Sequence, residues 1–162
     1  MCRSSRPPVA PASLVYSFGD NAGEAKVSNC LDWRPSWAKG PDGLLYPALF
    51  QHPPDPQKGV GEAAFSIALP KPKTGRRLVL RFGTVLTGPS YDGVRMSIMV
   101  DGAELWSETQ TQQDRPKVHA LDLCAHAGKA ARVTLRVDAL KNNGADWSNW
   151  LRRVVVEEGA GK

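Results

Sequence analysis

Gly93-Val94-Arg95-Met96-Ser97-Ile98-Met99-Val100-Asp101-Gly102-Ala103-Glu104-Leu105-Trp106-Ser107 is the stretch on which the reading of this chain turns. Val94, Met96, Ile98 and Val100 fall at every second position, so an extended backbone gathers them on one face. Asp101-Gly102 supplies the residue types that most readily take up the left-handed backbone of a two-residue hairpin, and Ala103–Ser107 returns as the partner strand. A hairpin cannot bury an apolar face by itself, so the rest of the chain must supply further strands.

It does so on both sides. Segments 14–18, 63–69 and 77–82 alternate apolar and polar residues, the last two stopping at Pro70 and Gly83. Segments 117–123, 131–138 and 153–157 complete the pattern. The apolar run 44–50 contains Pro47, which places it at a sheet edge or a bulge. Residues 19–43, rich in Gly, Asp, Asn, Pro and Trp, read as one long loop. Helical periodicity is confined to a single turn within 123–129. Eight or nine strands with half-polar faces predict an all-β fold, an antiparallel β-sandwich or jelly roll.

The chain has 162 residues, enough for one domain, and is 41% hydrophobic, enough for a core without metal or disulfide. The reading divides it into a Pro-rich tether over 1–12, a sandwich over 13–158 and a short tail over 159–162. No stretch has the apolar length of a transmembrane helix. Lys and Arg exceed Asp and Glu by 21 to 16, a net charge of +5. The excess is scattered, with short clusters at Lys71-Lys73-Arg76-Arg77 and Arg152-Arg153, which argues against nucleic acid. It is either a solvated surface or a bias toward acidic partners such as uronic-acid polymers.

Cys2 follows Met1 directly and precedes the tether, as the lipidated cysteine of a surface lipoprotein would; an incidental cysteine in a leader is the other reading. Cys30 and Cys124 either pair in an oxidising compartment or stand as two buried thiols. Their spacing does not suit zinc.

Four segments then line up with a known pattern. They are Ala48-Leu49-Phe50-Gln51-His52-Pro53-Pro54, Tyr91-Asp92-Gly93-Val94-Arg95 with its continuation to Gly102, 121–129 leading into the strand that ends at Asp138, and Asn142-Asn143-Gly144-Ala145-Asp146-Trp147-Ser148-Asn149-Trp150. Together they resemble the galactose-binding-like jelly-roll modules of bacterial glycoside hydrolases and sulfatases, NPCBM-type modules among them, over about residues 14–157. The resemblance implies a non-catalytic module outside the cytoplasm that binds polysaccharide or oligosaccharide through loops at one end. Its partner would be an appended hydrolase or a surface protein. It also implies a structural calcium ion, for which Asp20, Asn21, Glu24 and Glu157 would gather where the first and last strands meet.

Sugar contacts should come from aromatic faces and a few polar groups. Trp33 and Trp37 lie in the long loop, where exposing both without purpose would harm solubility; alternatively Trp33 folds under the loop as a lid on the core. In Asp146-Trp147-Ser148-Asn149-Trp150, Trp150 is expected to be exposed, with Trp147 plugging the core and Asp146 tying down the loop through backbone amides. His52, Asp92 and Arg95 complete the candidate contacts, although Asp92-Gly93 reads equally as turn chemistry and His52 as a structural histidine. No G-x-S-x-G, H-E-x-x-H, P-loop or Rossmann pattern occurs, so the sequence offers catalysis little footing. The rival classes are a protein-interaction domain of a surface lipoprotein and a small polysaccharide-active enzyme.

Overall fold

The Asp101-Gly102 turn adopts positive φ at both residues, 50° and 86°, as a tight hairpin between right-twisted strands requires. It joins β7 (Val94–Val100) to β8 (Ala103–Gln110). The computed structural model describes residues 11–90, 92–111 and 114–159. Among the described residues, two antiparallel sheets form a sandwich. One takes the order β2 (Lys26–Ser28), β5 (Gly61–Leu69), β10 (Lys129–Asp138), β7, β8. The other takes the order β3 (Asp32–Lys39), β4 (Leu45–His52), β11 (Ser148–Gly159), β6 (Arg76–Leu86), β9 (Lys117–Asp122), with β1 (Ser13–Ser17) also on β11.

The predicted all-β antiparallel sandwich is therefore the observed one. Val94, Met96, Ile98 and Val100 are fully buried and meet Leu78, Leu80 and Phe82 of β6 in the core between the sheets. Around them, Phe82 lies edge-on to Trp106 and stacks against His119, whose pKa burial pulls below that of a free imidazole. The single turn expected within 123–129 is a short 3-10 turn over Cys124–His126.

Three expectations need correction. Residues 19–43 are not one loop, because they contain β2 and β3. Pro35 masked β3 in the sequence, yet β3 is an edge strand with β4 as its one neighbour, and an edge tolerates a residue that lacks an N–H. Cys30 and Cys124 are neither paired nor two buried thiols: both are free, Cys30 half-buried and Cys124 exposed. Cys30 Sγ lies beside Gly61, at the start of β5, whereas the turn carrying Cys124 bonds through Gly128 to Leu69, at its end. At roughly 3.3 Å per residue, about 25 Å of strand separates them. Gly159, expected in the tail, belongs to β11, and 160–162 lie outside the described residues. The tether and Cys2 fall outside the described residues, apart from 11–12.

A polar bridge spans the sandwich. Trp150 is 0% exposed, and its indole Nε1 donates to Gln51 Oε1 at 2.8 Å. Gln51 is itself fully buried; its Nε2 donates to the Leu135 carbonyl of the opposite sheet at 3.2 Å and lies 3.4 Å from Cys30 Sγ. The Ser148 hydroxyl donates to the Gln51 carbonyl. One side chain thus ties β4, β11 and β10 together.

Along β11 the neighbour on one edge changes. β4 pairs with Ser148–Leu151 and β1 with Ser13–Ser17 against 154–157. Between them the β6 register slips by one residue, from Leu151↔Gly83 to Val154↔Arg81. This is a β-bulge, and Arg152 sits in it with φ 45°, a left-handed conformation that is unfavourable for a side chain of its size.

Replacing Gln51 with Met keeps the volume and removes the bridge, leaving the Trp150 N–H unpaired in the core. The expected loss is about 1–3 kcal/mol of folding stability, read as a lower urea midpoint with an unchanged slope. A midpoint equal to that of the unsubstituted protein would mean that the bridge contributes nothing net.

Candidate functional site

Trp147 immediately precedes β11, and alternation back from the buried Trp150 turns its ring outward; it is 44% exposed. Its backbone is held on both sides. Thr87 N donates to the Trp147 carbonyl at 2.9 Å, and Trp147 N donates to the carbonyl of Ala145, a residue with φ 56°. Gly88 packs so closely on Ala145 and the Trp147 ring that a Cβ there would collide with the Ala145 carbonyl.

The ring borders a cleft of about 340 Å³ on the outer face of the β3–β4–β11 sheet, lined also by Leu31, Asp32, Arg34, Phe50, His52 and Thr87. Asp32, Arg34, Phe50 and His52 point the same way because Asp32↔His52 and Arg34↔Phe50 are paired across β3 and β4. The Arg34 guanidinium lies 4.3 Å from the Phe50 ring centroid, and its Nε donates to Asp32 at 2.7 Å. His52 Nδ1 lies 2.8 Å from the Pro53 carbonyl, which can only accept, so that nitrogen carries the proton and Nε2 is left as an acceptor in the neutral ring. The cleft thus offers one aromatic face, a fixed guanidinium–carboxylate pair and an imidazole. Such a lining offers a face for stacking and both donors and acceptors for hydroxyl groups.

Beneath Trp147 lies a buried acid. Asp146 is fully buried, and neither carboxylate oxygen accepts from a backbone amide. Burial pushes its pKa up to about 6; Asp92 pushes further in the same direction, while the Ser90 hydroxyl and His52 offset part of the effect. The expectation that Asp146 would bond the loop amides is therefore wrong. That work falls to Asp92, whose carboxylate accepts from Lys141 N at 2.8 Å, and to Asn142, which accepts from Gly144 N.

The structure divides the remaining candidates. Trp150 is in the core and cannot meet a ligand; the exposed and buried members of the Trp147/Trp150 pair are exchanged relative to expectation. Trp33 is half-buried and packs against Phe65, acting as the lid on the core. Arg95 lies on the opposite sheet, where Glu104 at 3.0 Å and Ser107 at 3.3 Å occupy it. Trp37 is 65% exposed but lies in a different hollow from Trp147.

The calcium set does not gather. Glu157 pairs with Arg76 at 3.1 Å and accepts from Lys73 N. It faces Ser13, whereas Asp20, Asn21 and Glu24 follow Ser17, about 13 Å further along β1. Asn21 donates to the Ser17 carbonyl, and Glu24 accepts from the Tyr16 hydroxyl, whose pKa burial, aided by Glu24, pushes up to about 12. Among the described residues, no group of three or more His, Cys, Asp or Glu is placed to hold a metal ion.

No protein-family model matches the chain, and no curated protein matches it. Solved structures do. A CBM51 module from Clostridium perfringens GH95, in complex with methyl-galactose, matches at TM-score 0.53 and 13% identity, over 93% of this chain and 94% of that one. The tandem CBM51 modules of the family 98 glycoside hydrolase from Streptococcus pneumoniae match at TM-score 0.54 and 10% identity, over 93% of this chain and 42% of that one. The CBM51-2 and INT domains of Clostridium perfringens ZmpB, in complex with GlcNAc, match at TM-score 0.51 and 13% identity, over 95% of this chain and 30% of that one. The chain thus spans less than half the length of the latter two. What the chain shares with them is the antiparallel β-sandwich fold.

The buried carboxyl sets a pH dependence. Asp146 titrates at about 6 in the folded protein, against about 4 for an unperturbed aspartate. Its contribution to stability is therefore fully present below about pH 4 and is lost as the pH rises through 6. Asp146→Asn removes that loss. Its melting temperature, relative to the unsubstituted protein, should rise progressively between pH 4 and pH 7. A constant offset across that range, measured by circular dichroism melts, would contradict the assignment.

Proposed function

We propose that this chain is a non-catalytic carbohydrate-binding module that works outside the cytoplasm, as a secreted, periplasmic or lipid-anchored surface protein. It holds an attached hydrolase or a cell surface against polysaccharide. The observation that carries this reading is the Trp147 cleft: an exposed indole is fixed by backbone bonds beside Asp32, Arg34 and His52, in a fold shared with solved CBM51 modules. Stacking on a single ring with a few hydrogen bonds gives weak, reversible binding, which suits a module that must move along a polymer.

Two observations support this reading over its rivals. A protein-interaction domain using a sheet face would keep Trp37 and Trp147 buried, yet both are exposed. A glycosidase needs two facing carboxylates, and the cleft is lined by one, Asp32, which Arg34 already holds.

Isothermal titration against a panel of neutral and acidic glycans tests the proposal directly. Trp147→Ala should weaken binding by about tenfold or more while leaving the urea midpoint close to its original value, because the ring packs outside the core. A folded protein that binds no glycan in the panel, or binds equally well without Trp147, would overturn the assignment.

A further inference from the structure

A second hollow that carries an exposed aromatic ring is larger than the Trp147 cleft. It measures about 430 Å³ and opens where β1 and β4 leave β11 unpaired between them, at the bulge. Its apolar wall is Trp37, Pro35 and Pro47, which fall on one face of the paired β3 and β4. Ser17 and Ser36 add hydroxyls to its lining.

Two arginines complete it. Arg153 is 5% exposed, and Nη1 donates to the carbonyls of Pro47 at 2.7 Å and Trp150 at 3.2 Å, while Nε has no partner. Among the described residues it forms no ion pair; Asp20, on the rim, is felt only at longer range. Burial draws the Arg153 pKa down to about 10, and Asp20 offsets part of that shift. Arg152 is exposed, with its guanidinium 4.0 Å from the Tyr46 ring centroid and a loose 3.9 Å approach to Asp42. The left-handed strain at Arg152 is what sets these neighbouring cations together at one hollow.

We infer that this hollow is a second glycan site, selective for a sugar bearing a carboxylate, such as a hexuronic-acid residue of an acidic polysaccharide. Trp37 and the two prolines receive the C–H face of the ring, and the carboxylate meets Arg152 with Arg153 beneath it. Asp20 on the rim and Asp42 beside Arg152 temper the two positive charges, so the hollow suits a monoanion better than a doubly charged phosphate ester. Trp37 and the two prolines face away from the Trp147 cleft across β3 and β4, and Ser36 lines both hollows.

The test titrates the full chain with oligogalacturonate, with the matching galacto-oligosaccharide and with a sulfated oligosaccharide, followed by calorimetry and tryptophan fluorescence. Oligogalacturonate should bind at least about tenfold more tightly than its neutral counterpart and weaken as salt is raised. Trp37→Ala and Arg152→Gln alter exposed side chains; each should reduce that binding by about tenfold, whereas Trp147→Ala should leave it unchanged. Equal affinity for the neutral oligomer, stronger binding of the sulfated one, or indifference to both substitutions would overturn the inference. So would the absence of uronate binding in the folded protein. Neutral-sugar binding that depends on Trp147 would survive each of these results, so the two assignments fail separately.

Discussion

The indole N–H of Trp150 lies where water does not reach, and an unpaired donor there would cost about as much as a large share of a small domain's stability. Gln51 meets that need, and because its other end donates to Leu135, the same side chain fastens the two sheets to each other. The bond also fixes which way the start of β11 faces. With Trp150 inward, Ser148 must point inward and Trp147 outward. The polar bridge in the core is thus the reason that an aromatic ring stands at the surface.

The hairpin at Asp101-Gly102 and the alternation of β5, β6, β7 and β10 could be read directly, because each of these strands buries one face in an unbroken period of two. Edge strand β3 could not, since an edge tolerates Pro35 and leaves Arg34 and Trp37 in water, so that its apolar pattern is diluted. His52 could be placed near the site because its neighbouring prolines fix a loop at the sheet end. Gln51, one residue earlier, gave no signal, because a glutamine is most often a surface residue and only its partners reveal it as a core one.

The exchange between Trp147 and Trp150 has a specific cause. Val155 is inward, and strict alternation back from it would bury Trp147 and expose Trp150. The bulge at 152–153 inserts one residue into β11 and reverses the parity of everything before it. Neither Arg152 nor Arg153 announces a bulge in sequence, since the residue that takes the left-handed backbone is not a glycine.

That single inserted residue also explains why the two exposed tryptophans belong to separate surfaces. Upstream of it, β11 is in step with β4, and Trp147 joins the outward row of Asp32, Arg34 and His52. At the insertion itself β11 has no partner on that edge, because β4 has ended its pairing and β1 has not begun, and the space left over is walled by Trp37 and floored by the displaced arginines. A sheet with perfect register would have buried Trp147 and closed the gap beside Trp37. The irregularity in β11 therefore separates a plain sandwich from one that carries an exposed tryptophan in each of two different hollows.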